Sequence, residues 1–519
     1  MDSSDGYGAN LKTMEEVRQI LTIPPKSQVL GYSRLIEAEA LAVLPPRSLA
    51  FLATQGGRRE IETEGRRSTI YPAQYDPGAS IFDHLEFALK HEGVNLAVLA
   101  AFFSKVDRAA LTAYIRSRPT GQYARRAWFL FEWLMEQRLD LDDLKSVPYV
   151  PLVDPERFFT GLPNRSSRHA IDENFLGTRQ FSPTVEKTDA LRRSQSERLD
   201  EEARRLVAGY DEDTVKRAVN FLYTKETRST WELEREKPNP QRGERFILAL
   251  RHAAGLDQLS EAEFVKLQNI VVDTPYADRG YRNSQNYVGS GYVGRGVVEF
   301  VCPKPEDVGS MMSGLIACID RMRASAIDPV VAAAIAGFGF VFVHPFRDGN
   351  GRLHRWLIHH VLARSGFTPP GMIFPVSAVM LARRAEYDEA LERFSRPLGA
   401  LIDYELGNDG ALTVHGESAR HYRYFDCTAM AEALYRWTAE TVRKELKTEL
   451  DFLVRFRAAR AEMDEVVDMP DKEASLFIKL VVENAGRLSK AKRGRFPELS
   501  DDHIVRLEEI VRRNGLGEG

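Results

Sequence analysis

His344-Pro345-Phe346-Arg347-Asp348-Gly349-Asn350-Gly351-Arg352-Leu353-His354-Arg355 is the stretch on which the reading of this chain turns. Before it, Val330 to Val343 form one apolar run, and after it Trp356 to Ala363 resume an apolar pattern of helical period. Two buried helices therefore flank a short polar loop. Gly349, Asn350 and Gly351 tolerate positive φ and let backbone N–H groups converge on an anion at the N-terminus of the following helix. Arg352 and Arg355 lie three apart, share one helical face and suit neighbouring phosphoryl groups as planar, bidentate donors. Asp348 supplies a hard oxygen for Mg²⁺ or Mn²⁺, which rides on substrate phosphates. His344 titrates near neutrality and, facing the phosphate site, takes a proton from an attacking hydroxyl. The set describes phosphoryl-ester transfer on a nucleotide.

These residues resemble the Fic signature: His, any, Phe, any, Asp or Glu, Gly, Asn, Gly or Lys, Arg, two any, Arg. Every specified position is met between His344 and Arg355. The resemblance implies that His344 is the general base and Asp348 the metal ligand. It makes Gly349, Asn350 and Gly351 the phosphate cradle, Arg352 and Arg355 the polyphosphate ligands, and Phe346 an anchor of the loop. Members of that family move AMP from ATP to a protein hydroxyl and release pyrophosphate. The related Doc proteins, which phosphorylate, tend to have Ala-Asn-Lys where this chain has Gly349-Asn350-Gly351, so the resemblance favours nucleotidyl transfer. Arg347 and His354 occupy free positions and read as surface or packing residues. His359 and His360 form the one His pair, without Cys or carboxylate at zinc spacing around them.

Upstream, Thr227 to Pro238 resembles the family's inhibitory motif, Ser or Thr, three any, Glu, then Gly or Asn. Thr230 and Glu234 fill the defining positions, and the resemblance implies that Glu234 pairs with Arg355 and spoils the geometry of bound ATP. Arg235 departs from the pattern. The segment precedes the signature, which is similar to the subgroup whose inhibitory helix is N-terminal to the core. Read as residues alone, the mixed charges from Glu232 to Lys237 before Pro238 describe a solvated helix end. Between the motifs, Asn286 to Gly289 and Gly294 to Val301 are β-prone runs punctuated by glycine, and read as a hairpin. By resemblance this flap, residues 281–302, holds a protein substrate through its strand edge. Phe374 to Ser377 and Glu386-Tyr387 also look like the family's core, and Tyr387 is carried over as a neighbour of the nucleotide. The Fic-like portion covers about residues 205–400.

With 519 residues the chain exceeds one usual core and is expected to hold two to four domains. Its 71 basic and 75 acidic residues leave a net charge of −4, which makes no whole-chain case for nucleic acid or membrane. Cys302, Cys318 and Cys427 form no paired framework, which suits a reducing, cytoplasmic compartment. The opening Met1 to Asp5 lacks an apolar core for a secretory signal. The run from Val330 to Val343 is shorter than the ~18 residues of a membrane span, so no membrane partner is expected.

The expected fold is mostly α: a helical Fic core with a β-hairpin flap, an N-terminal accessory domain and a helical C-terminal region. The boundaries read as 1–175 for the accessory domain, α+β or mostly helical, and 176–240 for a helical connector with the inhibitory segment. The catalytic core follows at 241–400 and the C-terminal domain at 401–519. Arg125 and Arg126 before Trp128, Phe129, Phe131 and Trp133 admit a nucleic-acid surface, but aromatics at helical spacing are more often core. Lys490 to Phe496 is a local basic patch with the same two readings. Two function classes follow. One is a protein adenylyltransferase acting on Ser, Thr or Tyr with ATP, autoinhibited by Glu234, or its reverse, removal of AMP. The other is a nucleotide-sensing regulator that binds protein or DNA. A second copy of the chain stays open as a partner.

Overall fold

The computed structural model describes residues 28–53, 56–63, 66–290 and 297–516. The opening Met1 to Asp5 and the flap residues around Gly294 lie outside them. The chain forms two compact units, each assembled from three separated stretches: residues 1–197, 239–365 and 380–436 in the first, residues 198–238, 366–379 and 437–519 in the second. Most described elements are helices, joined by small sheets, so the fold is mostly α.

In the first unit the accessory region is α+β. Ser48–Leu52 pairs antiparallel with Gln28–Leu30, with Val29 opposite Phe51, and parallel with Arg66–Tyr71, whose other edge carries Arg59–Thr63. Helices Leu96–Phe103, Arg108–Ser117 and Gln122–Met135 follow, and the first two are capped by side chains of Asn95 and Asp107. Leu96–Phe103 is apolar on every side and buried throughout, as a helix at the centre of a core must be. Trp128, Phe129 and Phe131 are core residues. Arg125 and Arg126 are buried too: their guanidiniums donate to the carbonyls of Pro148 and Ala170, and of Pro151. They hold loops in place and present no basic surface.

The region that carries the His344–Arg355 motif is built on Pro305–Ala324, Pro329–Val343 and Asn350–Arg364. Asp328 caps the middle helix by accepting from the N–H groups of Val330 and Val331, and Pro329 starts it at a position where its missing donor costs nothing. That helix runs antiparallel to Asn350–Arg364 at very short range because of Gly337. A Cβ there would stand 2.7 Å from Ile358 Cγ1 and 3.0 Å from His354 Nδ1. Close packing of these two helices fixes both ends of the loop between them.

The second unit contains Glu212–Leu233, capped by Asp211, together with Lys447–Val466, Asp471–Val482 and Asp501–Arg513. Phe477, Ile478, Leu507 and Val511 close its terminal core. Lys225 reaches from the first helix to Glu445 at 2.6 Å and Glu449 at 2.8 Å. In the basic stretch Lys490–Arg495, Arg493 donates to the carbonyls of Phe496 and Leu499, which makes it a structural brace.

Candidate active site

The loop from His344 to Gly349 lies where the apolar helix must stop. His344 ends it in the left-handed region, φ 51° and ψ 59°, with its N–H still bonded to the Phe340 carbonyl at 2.9 Å. A non-glycine residue there costs about 1–2 kcal/mol and persists only when its neighbours over-determine it. Its ring is fixed as well: Nδ1 stands 3.1 Å from the Val341 carbonyl oxygen. A carbonyl only accepts, so Nδ1 carries the hydrogen in the neutral ring and the lone pair falls on Nε2. That is the state a general base requires.

Phe346 is fully buried and closes against Phe340 and Tyr281. Asn350, 2% exposed, staples the turn: its Oδ1 accepts from the Phe346 N–H at 3.0 Å and its Nδ2 donates to the Phe346 carbonyl at 2.8 Å. Asn350 therefore shapes the cradle. Gly349 precedes the helix at φ 89°, and a Cβ there would meet Val271 Cγ2 at 3.0 Å and Val272 Cγ1 at 3.1 Å. Glycine is required on both counts. Gly349, at the N-cap, has no side chain to cap this helix. Its first N–H groups, Gly351 among them, form the positive end of a fifteen-residue helix dipole.

Asp348 is half-exposed. Its Oδ1 accepts from the Gly349 N–H at 2.5 Å and from Arg352 Nη2 at 3.1 Å, while Oδ2 bonds no described residue. A single hard carboxylate oxygen beside an anion cradle fits Mg²⁺, which binds through one or two carboxylates plus substrate phosphates. Among the described residues no group of three or more His, Cys, Asp or Glu stands ready as an all-protein metal cage. Arg352 is buried and donates through Nη1 to the Val271 carbonyl at 2.8 Å, at the negative end of helix Glu261–Val271. Arg355, 1% exposed, donates to the Tyr387 hydroxyl at 3.3 Å. Tyr387 comes from helix Arg384–Gly399. His344, Asp348, Gly349, Asn350, Gly351, Arg352, Arg355 and Tyr387 all belong to the first unit.

Sequence reading missed four residues that hold this loop. Gln268, fully buried, donates to the Asp348 carbonyl at 3.3 Å and accepts from the Asp278 N–H at 3.0 Å. Asp278 accepts from Arg347 at Nε, 2.6 Å, and from its main-chain N–H, 3.2 Å, so Arg347 is an ion-paired brace. Arg282 and Asn286 donate to motif carbonyls from the flap side. Gln268 left one trace in the sequence, as a polar residue on the stripe Phe264, Leu267, Val271 that the core buries. His354 packs edge-on to Phe338, and His360 stacks on Trp356 while Nδ1 contacts the Ala253 carbonyl. Burial pushes the His360 ring down to about 4, so it is neutral at physiological pH.

Tyr287–Ser290 and Val297–Val301 pair antiparallel, a hairpin with a register shift at Val288/Gly289. Its base lies against the motif, Phe300 standing 6.4 Å from the His344 ring. In the second unit Thr230 is fully buried, with its hydroxyl 3.1 Å from Glu226 Oε1 and 3.0 Å from Ser377 Oγ. Glu234 ends helix Glu212–Leu233, and Arg235 after it adopts φ 58°. The position where the inhibitory motif has Gly or Asn is thus left-handed here also.

A histidine held at one helix end, a glycine turn and two buried arginines on the helix that follows are thus gathered in one place on a helical scaffold. Residues 258–362 match the model of the Fic/DOC family. Protein adenylyltransferase fic-1 of Caenorhabditis elegans is 40% identical over 100 residues, 19% of this chain and 18% of that protein. The fic-1 protein of Caenorhabditis briggsae is 37% identical over 110 residues, 21% of this chain and 18% of its own. Protein adenylyltransferase Fic of Aedes aegypti is 36% identical over 89 residues, 17% and 16% of the two chains. The chain therefore spans less than a fifth of the length of these relatives. A Fic domain containing signaling protein from Bacteroides thetaiotaomicron aligns over 49% of this chain and 96% of its own, at 18% identity and a TM-score of 0.36.

Proposed function

We propose that this protein is an adenylyltransferase that moves AMP from ATP to a Ser, Thr or Tyr hydroxyl of a protein. The observation that carries the reading is the ring contact of His344, Nδ1 at 3.1 Å from the Val341 carbonyl oxygen, which in a neutral ring leaves Nε2 as the acceptor, on the loop that leads into helix Asn350–Arg364. In the reaction the acceptor hydroxyl oxygen bonds to the α-phosphorus, and the bond from that phosphorus to the pyrophosphate oxygen breaks. The hydroxyl proton passes to His344 Nε2, and pyrophosphate leaves. The N–H groups at the start of Asn350–Arg364 bind the phosphate oxygens, and Arg352 and Arg355 take up the charge of the polyphosphate. Asp348 would hold Mg²⁺, which neutralises charge on the bridging phosphates. The flap, residues 281–302, would carry the target segment along its strand edge.

Names of relatives support AMP transfer as the class of reaction, and the Gly349-Asn350-Gly351 cradle supports AMP over phosphate transfer. Restraint by Glu234 is part of the proposal and rests on the resemblance of Thr230 to Arg235 to an inhibitory motif. Intact-mass spectrometry of an acceptor protein incubated with ATP and Mg²⁺ tests the reading. A mass increase equal to one AMP, lost in His344→Ala, supports it. An increase equal to one phosphate, or tight ATP binding with no adduct in Glu234→Gly, excludes it in favour of a kinase or of a sensor or de-AMPylating site.

A further inference from the structure

We propose that Arg282 is a positioning residue that ties the two ends of the flap to the histidine base, so that target docking and base orientation form one mechanical unit; this rests on the transferase reading above. Arg282 is 4% exposed and every arm of it is used. Nε donates to the His344 carbonyl at 2.8 Å, Nη1 to the Ser284 carbonyl at 3.0 Å and Nη2 to the Pro303 carbonyl at 2.6 Å. Its own main-chain N–H donates to the Pro345 carbonyl at 2.8 Å. Ser284 precedes the first flap strand and Pro303 follows the second, so one guanidinium bridges both roots of the hairpin and the residue that carries the base. Asn286 extends the clamp: its Nδ2 stands 3.4 Å from the Phe346 carbonyl and 3.3 Å from that of Arg347, and its own carbonyl accepts from Cys302 N–H at 3.2 Å. Four consecutive carbonyls, residues 344 to 347, are thus held from the flap side.

The physical need is plain at His344. Its left-handed backbone is unfavourable by itself, and a buried charge-assisted bond to its carbonyl is the kind of contact that over-determines such a conformation. Release of that carbonyl frees the backbone, lets the ring leave Val341 and lets the proton move to Nε2, where the lone pair is needed. With its guanidinium buried and engaged by three carbonyls, Arg282 acts through His344 and the flap.

The test uses full-length protein bearing Glu234→Gly, with Arg282→Gln, Arg282→Lys and Asn286→Ala added singly. Histidine ¹⁵N NMR reads the His344 tautomer without any need for turnover, and self-labelling from ATP reads transfer. The expected result for Arg282→Gln is a His344 signal shifted toward the Nε2–H form, kcat down about 10²-fold, and Mg-ATP affinity and its KM unchanged. Arg282→Lys, which keeps a charged donor without the fork, restores part of both signals. Asn286→Ala, a milder cut in the same clamp, shifts the tautomer less; it carries the test alone if Arg282→Gln fails to fold. A His344 tautomer unchanged in every folded variant overturns the proposal, as does a loss of transfer accompanied by an equal loss of Mg-ATP binding. A shifted tautomer with no transfer even in the Glu234→Gly parent upholds the clamp and contradicts the transferase reading instead.

Discussion

Gly349 and His344 are the two residues of the loop whose backbones lie in the left-handed region, and they answer that requirement differently. Glycine adopts it freely, and histidine is held there by its contacts. Gly349→Ala adds about 1–2 kcal/mol of backbone strain and a methyl group 3.0 Å from Val271. It is expected to lower nucleotide affinity as well as stability, measured by titration calorimetry and thermal melting. Wild-type affinity in that variant would mean the cradle does not depend on this turn. Arg235 presents the same geometry in the second unit. It stands where the inhibitory motif has Gly or Asn, and its φ is 58°. Arg235→Val, β-branched at that φ, is expected to destabilise by about 1–2 kcal/mol more than Arg235→Gly in chemical denaturation; equal stabilities would contradict it. The signature residues were legible because each chemistry stands at a fixed spacing within one loop. Gln268 and Arg282 were not, because they reach the motif from 80 and 62 residues away and only the folded chain joins them.

At the scale of elements, the two helices around the loop could be read from their apolar periods, and the hairpin from its glycines. The four-stranded accessory sheet was legible only as a class, since its strands are three to six residues long and one pairing is parallel. What locks the accessory helices is again non-local. Glu132 on Gln122–Met135 accepts from Trp128 Nε1, Leu139 N–H, Arg168 and His169. Burial alone would raise its carboxyl, but the bonds from His169 and Arg168 outweigh that and hold it well below the usual carboxylate range. A folded value below the unfolded one gives stability that is present above about 4.3, the ordinary glutamate value, and lost as pH falls below it. Glu132→Gln is expected to cost about 1–3 kcal/mol near neutrality and to flatten the acid limb of stability against pH. An acid limb as steep as that of the parent would remove Glu132 from the account.

For the whole molecule, the site and the candidate restraint come from different stretches: His344 to Arg355 with Tyr387 in the first unit, Thr230 and Glu234 in the second. Thr230 could be read as part of an inhibitory motif, but its bond to Ser377 was invisible in sequence because Ser377 lies 147 residues further on. No described helix is long and apolar enough to cross a membrane. The measurement that bears most directly on the central claim compares α-³²P- and γ-³²P-labelled ATP, each with Mg²⁺, on the unchanged protein, Glu234→Gly and Glu234→Gly with His344→Ala. The account predicts protein-bound label from the α-labelled nucleotide alone, stronger in Glu234→Gly than in the unchanged protein, and reduced by about 10²–10⁴-fold when His344 is removed. Label from the γ-phosphate, or α-label that survives His344→Ala, would contradict it.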